Sequence, residues 1–460
     1  MDNGKASPPR ARRIVIIGLG TGGLYVSRAA SRIDRNAEIT IVERRDYDMF
    51  SPCGLPYALE GKVESFEDLK HVVPTTRQLS KLLSHEVLSI DTQDKKLEVK
   101  NLKTGEASWL EYDSLVIATG SRPIILPIPG ANELLGRGVY VFTNPEEAQE
   151  LKEAALKSKK AVVVGGGAIG LEIAFALKEL GLEVGVTKRS PPPFPRNLDP
   201  DMGKLIREYL DSEGLEIWFG KGIDGINGTD RVESVEIAGE TIPTDIVVMA
   251  VGVAPETTLA EKAGISVDRG GIVTDERMRT SATDIYAIGD CAQAFSGVDG
   301  KPINVALATA AFKQATVAGV NAAGGDAVYD GDLGTFVSFI GDLEIACTGY
   351  NTPIAERNGF EVISGRANMH IKPKWMPGAK DISVKILVDA GSGRIIGGQA
   401  IGEEGAAWRV NVISLAIRNK MTIAEFCTLE LAYCPAVSDL YDPLQVAADV
   451  ALRRYSRKKK

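Results

Sequence analysis

Arg12-Arg13-Ile14-Val15-Ile16-Ile17-Gly18-Leu19-Gly20-Thr21-Gly22-Gly23 is the stretch on which the fold turns. A short apolar run ends in glycines spaced G-x-G-x-x-G, and Leu24 to Ile33 reads as a helix. In that strand–turn–helix setting each glycine has its own reason. Gly18 makes the turn, Gly20 lets backbone approach a pyrophosphate, and Gly23 lets helix pack on strand. The next apolar run, Ile39 to Val42, ends at Glu43, 20 residues after Gly23, where a ribose hydroxyl would be held. A lone glycine motif is weak; strand, helix and acid together predict a dinucleotide site.

The pattern restarts 147 residues further on. Ala161 to Val164 reads as a strand, Gly165-Gly166-Gly167-Ala168-Ile169-Gly170 repeats the spacing, and Leu171 to Leu180 reads as a helix. A separation of about one domain points to a repeated fold, not a short-period solenoid. Two dinucleotide sites imply two cofactors that exchange electrons. The copies differ at one place. The second copy's strand, Glu183 to Val186, runs into Thr187-Lys188-Arg189, so Lys188 stands where the first copy has Glu43. A carboxylate bonds a free 2′-hydroxyl, whereas a basic group suits a 2′-phosphate. Lys188 and Arg189 therefore predict NADPH over NADH; the alternative is two solvated surface cations.

Ten residues beyond Glu43 lies Cys53, in Phe50-Ser51-Pro52-Cys53-Gly54-Leu55-Pro56-Tyr57. Ser51 is a plausible N-cap and Pro52 suits a first helical position, which would put Cys53 in a first turn where partial positive charge favours thiolate. Pro56 argues against a regular helix, so a distorted turn presenting a sulfur is expected; the alternative is a buried, inert cysteine.

Downstream, residues 85 to 117 alternate in strand-like runs that end in a glycine turn at Ala118-Thr119-Gly120. A strand through Ile285 is expected to carry Asp290 at its end, and Val305 to Asn321 reads as a helix of small residues. From Tyr329 the composition changes, with alternation at Ile382 to Val388 and a helix at Ala406 to Arg418, predicting a third domain.

Size and charge are consistent with this. A chain of 460 residues suggests two to four domains, and 44% hydrophobic with 25% charged residues is ordinary for a globular protein. A net charge of -8 gives no sign of nucleic-acid binding. No apolar run reaches the ~18 residues of a membrane span, and Met1 to Arg13 has no apolar secretory core. Five cysteines show no C-x-x-C and no zinc spacing, so no metal is expected and a reducing cytoplasm fits best. The basic end, Arg453 to Lys460, reads as a solvated tail.

From about Arg12 to Val450 the chain resembles the flavin disulfide reductases, and within them the single-cysteine group of coenzyme A disulfide reductases, NAD(P)H oxidases and sulfur reductases. The paired glycine motifs, Cys53-Gly54-Leu55-Pro56-Tyr57, Ala118 to Gly120, Ile285 to Asp290 and Asp442-Pro443-Leu444 carry the resemblance. It implies an α/β fold of two Rossmann-like domains and a C-terminal α+β dimerisation domain. The FAD domain would be discontinuous, 12–122 and 253–328; the nucleotide domain 123–252; the dimerisation domain 329–452; and 1–11 and 453–460 flexible tails.

The resemblance also implies the site. Gly18, Gly20, Gly23 and Glu43 would hold the FAD adenosine half and Asp290 its ribityl chain, with Thr119, Gly120 and Ala306 among the cofactor contacts. Gly165, Gly167, Gly170, Lys188 and Arg189 would hold the pyridine nucleotide, with Glu172 near the nicotinamide. Cys53 would be the redox sulfur, and Ser51 and Arg32 would touch a coenzyme A-like thiol or disulfide, although Ala29 and Ser31 replace arginines common in coenzyme A reductases. Thr21 stands where flavin peroxidases carry a histidine. Two-cysteine relatives have H-P-T-x-S-E near the end, its histidine serving the partner subunit's cysteine. Aligned on Pro435, Ser438 and Asp439, that histidine is Cys434 here, which leaves Tyr433 as proton donor in a homodimer with shared sites and Cys434 as a second sulfur or an inert one. The expected reaction is NAD(P)H-dependent reduction of coenzyme A disulfide or a related disulfide, polysulfide or sulfur acceptor. The alternatives are oxygen reduction, or electron transfer to a quinone or protein without Cys53.

Overall fold

The computed structural model describes residues 10–190 and 193–459. Three five-stranded sheets organise it. The first is parallel throughout, in the order Ile285–Ala287, Ser114–Ile117, Arg13–Ile17, Glu38–Glu43, Leu79–Leu83. Helix Thr21–Ile33 makes the crossover between its third and fourth strands. That helix packs on Ala308–Ala322, whose small residues permit close approach: a Cβ on Gly319 would lie 2.6 Å from the Val26 carbonyl oxygen.

The second sheet repeats the first. Its order is Val139–Tyr140, Ile246–Met249, Lys160–Val164, Glu183–Lys188, Glu216–Phe219, again all parallel. Continuous β-branched runs such as Ala161-Val162-Val163-Val164, buried on both faces, are what a covered parallel sheet requires. The chain leaves the first unit through Ser121–Pro123 and returns through Val253–Pro255, and these two segments pair as an antiparallel ribbon.

The third sheet is antiparallel, in the order Phe336–Ile340, Leu343–Gly349, Ile395–Gly402, Asp381–Asp389, Val362–His370. Helices Ala406–Arg418 and Pro443–Lys458 cover it. Buried Lys385 ties this sheet to the second unit, its Nζ 2.7 Å from both Asp199 and Asp201.

Four expectations change in detail. The helix after Ala306 starts at Ala308, because Leu307 is still extended, so Ala306 sits in the segment leading into it. Strand Ile285–Ala287 stops short of Asp290, which lies in the 3₁₀ turn Gly289–Cys291. The basic end is not a tail through Lys458. Residues 453–458 continue the last helix, whose buried Ala447, Ala448 and Ala451 anchor it and whose cationic last turn suits the helix dipole. Arg10 is pinned to Asp113 at 2.5 Å, whereas residues 1–9 and Lys460 lie outside the described residues.

Candidate active site

Both glycine motifs pass a direct geometric test. A Cβ on Gly18 would lie 2.4 Å from the Ala118 carbonyl oxygen, and on Gly165 2.1 Å from that of Ala250; both residues have positive φ. Gly23 and Gly170 face the carbonyls of Gly18 and Gly165, at 2.0 and 2.1 Å for the same virtual atom. Gly20 and Gly167 meet nothing within 4 Å. So in each copy the first and third glycines exist for the turn and the packing, while the second borders open space where a pyrophosphate can approach the helix N-terminus.

A cavity of about 1630 Å³ joins the three units, bordered by Gly18, Gly20, Glu43, Thr119, Gly120, Asp290 and Ala306 of the first, Ala168, Ile169 and Glu172 of the second, and Phe336 and Ser338 of the third. Its size and the first glycine loop on its wall fit a dinucleotide. Glu43 is 5% exposed and accepts from the Leu19 amide at 2.7 Å. Arg45, which the sequence reading missed, donates to the same carboxylate through Nε at 2.9 Å and Nη2 at 2.8 Å. Burial pushes the Glu43 carboxyl up, but Arg45 more than offsets it, and the net shift is down. Ser121 donates to Asp290 at 2.9 Å, and burial holds that carboxyl above its ordinary range.

Cys53 borders this cavity, in the 3₁₀ turn Pro52–Gly54 that precedes helix Leu55–Glu60. Pro56 falls in the first helical turn, where no backbone bond is lost, so the distortion is confined to the 3₁₀ turn. Ser51 does occupy the N-cap position, but its hydroxyl is 2.7 Å from His71 Nε2 and makes no cap. The expected thiolate preference is reversed: burial, then the charges of Glu172 and Asp290, push the Cys53 thiol up. Glu172 accepts from the Ser338 hydroxyl at 2.6 Å. Cys347 also borders the cavity, but it is 4% exposed, meets the Asn197 amide, and its thiol is pushed up to about 12 by burial.

The other expected residues lie apart. Lys188 stacks its stem on Gly166, 2.8 Å from a Cβ built there, and its Nζ meets Ser190. Arg189 is exposed and turned toward Gly222. Arg32 is in the last turn of Thr21–Ile33, at the end away from the glycine loop. Tyr433 and Cys434 are exposed and do not border the cavity. They belong to a segment that also exposes Val437, Leu440 and Tyr441, an apolar run in want of a cover. Among the described residues there is no metal-binding cluster and no helix long and apolar enough to cross a membrane.

The family model for pyridine nucleotide-disulphide oxidoreductases matches residues 12–318, and that for the dimerisation domain of the same family matches 336–443. The "NADH oxidase" of Methanocaldococcus jannaschii is 35% identical, the match covering 97% of this chain and 100% of the relative. The "NAD(P)H sulfur oxidoreductase (CoA-dependent)" of Pyrococcus abyssi is 31% identical over 95% of this chain and 98% of its own. Among solved structures, the NAD-dependent persulfide reductase of A. fulgidus superposes with a TM-score of 0.92 at 35% identity, over 97% of this chain and 84% of that one. An engineered water-forming NADPH oxidase, derived from the Lactobacillus brevis NADH oxidase and bound to NADPH, gives 0.92 at 25% identity over 97% and 100%.

Proposed function

Because the chain belongs to the pyridine nucleotide-disulphide oxidoreductase family, whose members use FAD and a pyridine nucleotide, we propose that it is an NADPH-dependent reductase of a small disulfide, persulfide or polysulfide, with Cys53 as its redox sulfur. One observation carries the reading. Cys53 is exposed on the cavity that the first glycine loop and the start of the helix after the second one border, and the other cavity cysteine, Cys347, is buried. A lone accessible sulfur exchanges with a substrate sulfur, not with a second cysteine.

Bound FAD supplies the two-electron link between nicotinamide and sulfur. Gly18, Gly20, Gly23, Glu43, Thr119, Gly120, Asp290 and Ala306 would hold it. The Cys53 thiolate attacks one sulfur of the acceptor, forming a mixed disulfide and releasing the other half as a thiolate. Two electrons and one proton then split the mixed disulfide into Cys53 thiolate and a second thiol. Glu172, its carboxyl raised by burial, lies within electrostatic reach of Cys53 at this end of the cavity and can hand a proton on there.

Lys188 and Arg189 support the NADPH preference. The engineered NADPH-binding oxidase replaces an aspartate with alanine and follows it with newly introduced arginine and serine. The strand end here reads Lys188-Arg189-Ser190, with the acid likewise absent and Arg-Ser following.

The M. jannaschii relative favours a second reading, oxygen reduction, with Cys53 passing through a sulfenic acid. Anaerobic NADPH oxidation driven by coenzyme A disulfide or polysulfide separates the two. If NADPH is consumed only when oxygen is admitted, the disulfide reading falls.

A further inference from the structure

Helix Leu55–Glu60, which begins two residues after Cys53, belongs to the first unit by sequence and to the second by packing. Its Leu55, Ala58 and Leu59 are buried in one core with Leu151, Ala155 and Leu171 of the second unit. A helix of 6 residues has no stability of its own, so whatever holds it also positions the turn before it. The base of the segment is fixed within the first unit. Buried Asp48 accepts from Lys81 Nζ at 2.5 Å and from the Val73 amide at 2.7 Å, and Met49–Phe50 pairs with Lys70–His71.

The far end is held from across the unit boundary. Gly61, at positive φ, ends the helix, and the Val63 amide returns to the Tyr57 carbonyl at 3.1 Å. The next carbonyl, that of Ala58, accepts from Lys152 Nζ at 2.7 Å. Lys152 stands in helix Pro145–Ala155 of the second unit, and its ammonium lies 5.5 Å from the centre of the Phe66 ring. The last carbonyls of a helix lack partners within it, and a cation there satisfies one and opposes the helix dipole. Ala58 is fully buried, so losing Lys152 leaves its acceptor unpaired. Glu146, in the first turn of the same helix, makes a second crossing: it accepts from the Tyr47 hydroxyl at 3.2 Å and lies 3.6 Å from Lys70 Nζ.

We infer that Lys152 is a positioning residue for the redox sulfur: from the nucleotide unit it caps the helix behind Cys53, and so holds the turn that presents Cys53 to the cavity. The inference rests on Cys53 as the redox sulfur and adds to it a residue outside every motif of the sequence. Lys152 does not border the cavity and acts only through the helix it caps. Glu172 stands in helix Ala168–Glu179, which packs into the same core, so Cys53, Glu172 and Lys152 are carried by one packed body.

The test uses the FAD-loaded full chain of wild type, Lys152→Met and Lys152→Arg. Lys152 is only partly buried and methionine keeps an apolar stem against Phe66, so the fold is retained. Two quantities are measured: amide hydrogen exchange by mass spectrometry, and anaerobic reoxidation of NADPH-reduced flavin by coenzyme A disulfide and by polysulfide. In Lys152→Met the amides of 55–60 should exchange about tenfold faster, with strand Lys160–Val164 unchanged. Flavin reduction by NADPH should keep its rate, while reoxidation slows about tenfold or more. Lys152→Arg, which still donates, should recover both in part. Wild-type exchange at 55–60 in Lys152→Met overturns the assignment. Faster exchange with unchanged reoxidation overturns it too, since the cap would then not position the sulfur, as does equally faster exchange at Lys160–Val164, a general loosening. If reduced wild-type flavin is reoxidised by neither acceptor, the disulfide reading fails and this inference with it.

Discussion

The Ser338 hydroxyl donates to the Glu172 carboxylate at 2.6 Å, joining the helix after the second glycine motif to the edge strand of the third sheet. Burial raises the Glu172 carboxyl and this bond partly opposes the rise. The Glu172 charge in turn raises the Cys53 thiol. The two groups therefore titrate as a linked pair. Removing the carboxylate charge lowers the pH at which Cys53 becomes thiolate. Glu172→Gln should shift the pH profile of Cys53 alkylation by iodoacetamide to lower pH. A profile that does not move in Glu172→Gln would disprove the linkage.

Cys53→Ser should abolish disulfide and polysulfide reduction while NADPH-dependent reduction of an artificial dye survives, because the side chain touches neither glycine loop's packing. Residual disulfide turnover above about one part in a hundred would take Cys53 out of the mechanism, since covalent participation leaves no partial substitute.

The glycines separate folding from binding. Gly20→Ala places a methyl in open space, so the protein should fold and lose FAD, visible as a colourless protein with near-native melting. Gly23→Ala drives its methyl to 2.0 Å from the Gly18 carbonyl oxygen, which only backbone movement can relieve. It should cost roughly 2 kcal/mol or more and lower the melting temperature whether or not FAD is added. Equal stability of the two variants would show that the third glycine is not a packing device.

These contrasts show what the sequence could and could not disclose. The glycine motifs were legible because their spacing is itself the signal, although the first glycine of each copy answers to a carbonyl far along the chain, Ala118 for Gly18 and Ala250 for Gly165. Arg45 lies only two residues beyond Glu43, in the bend where the strand ends, and a basic residue that close to the acid is a legible signal. Ser338 had none, as it reaches Glu172 from 166 residues away through sheet assembly. Cys53 was found but its ionisation was misjudged: the turn's charge is a local effect, whereas the burial and carboxylates that raise the thiol come from the tertiary fold.

Lys188→Glu should move the nucleotide preference toward NADH, since it places at the second strand's end the acid that the first copy carries in Glu43. The measurement is the ratio of kcat/KM for NADPH and NADH. A change of about tenfold or more is expected for loss of one charge-assisted phosphate contact, and an unchanged ratio would leave Lys188 a surface cation.

Tyr433 can act only from a second chain if it acts at all. In its own subunit it is 49% exposed and does not border the cavity that holds Cys53. Its segment is nonetheless held in place, because buried Arg409 bonds Asp442 through Nε at 3.0 Å and Nη2 at 2.6 Å, and Asp442 caps the helix that follows. An anchored segment with an exposed apolar run, in a unit that matches the family's dimerisation domain, is suited to enter a partner's cavity. Tyr433→Phe should then slow disulfide reduction about 10²-fold as a lost general acid. Mixed dimers decide where it acts. A dimer of one Cys53→Ser chain and one Tyr433→Phe chain has, if sites are shared, one doubly defective site and one intact site. It should recover about half of wild-type turnover although both parents are nearly inactive. If each chain used its own tyrosine, both sites would stay impaired, and no recovery on mixing would refute the shared site.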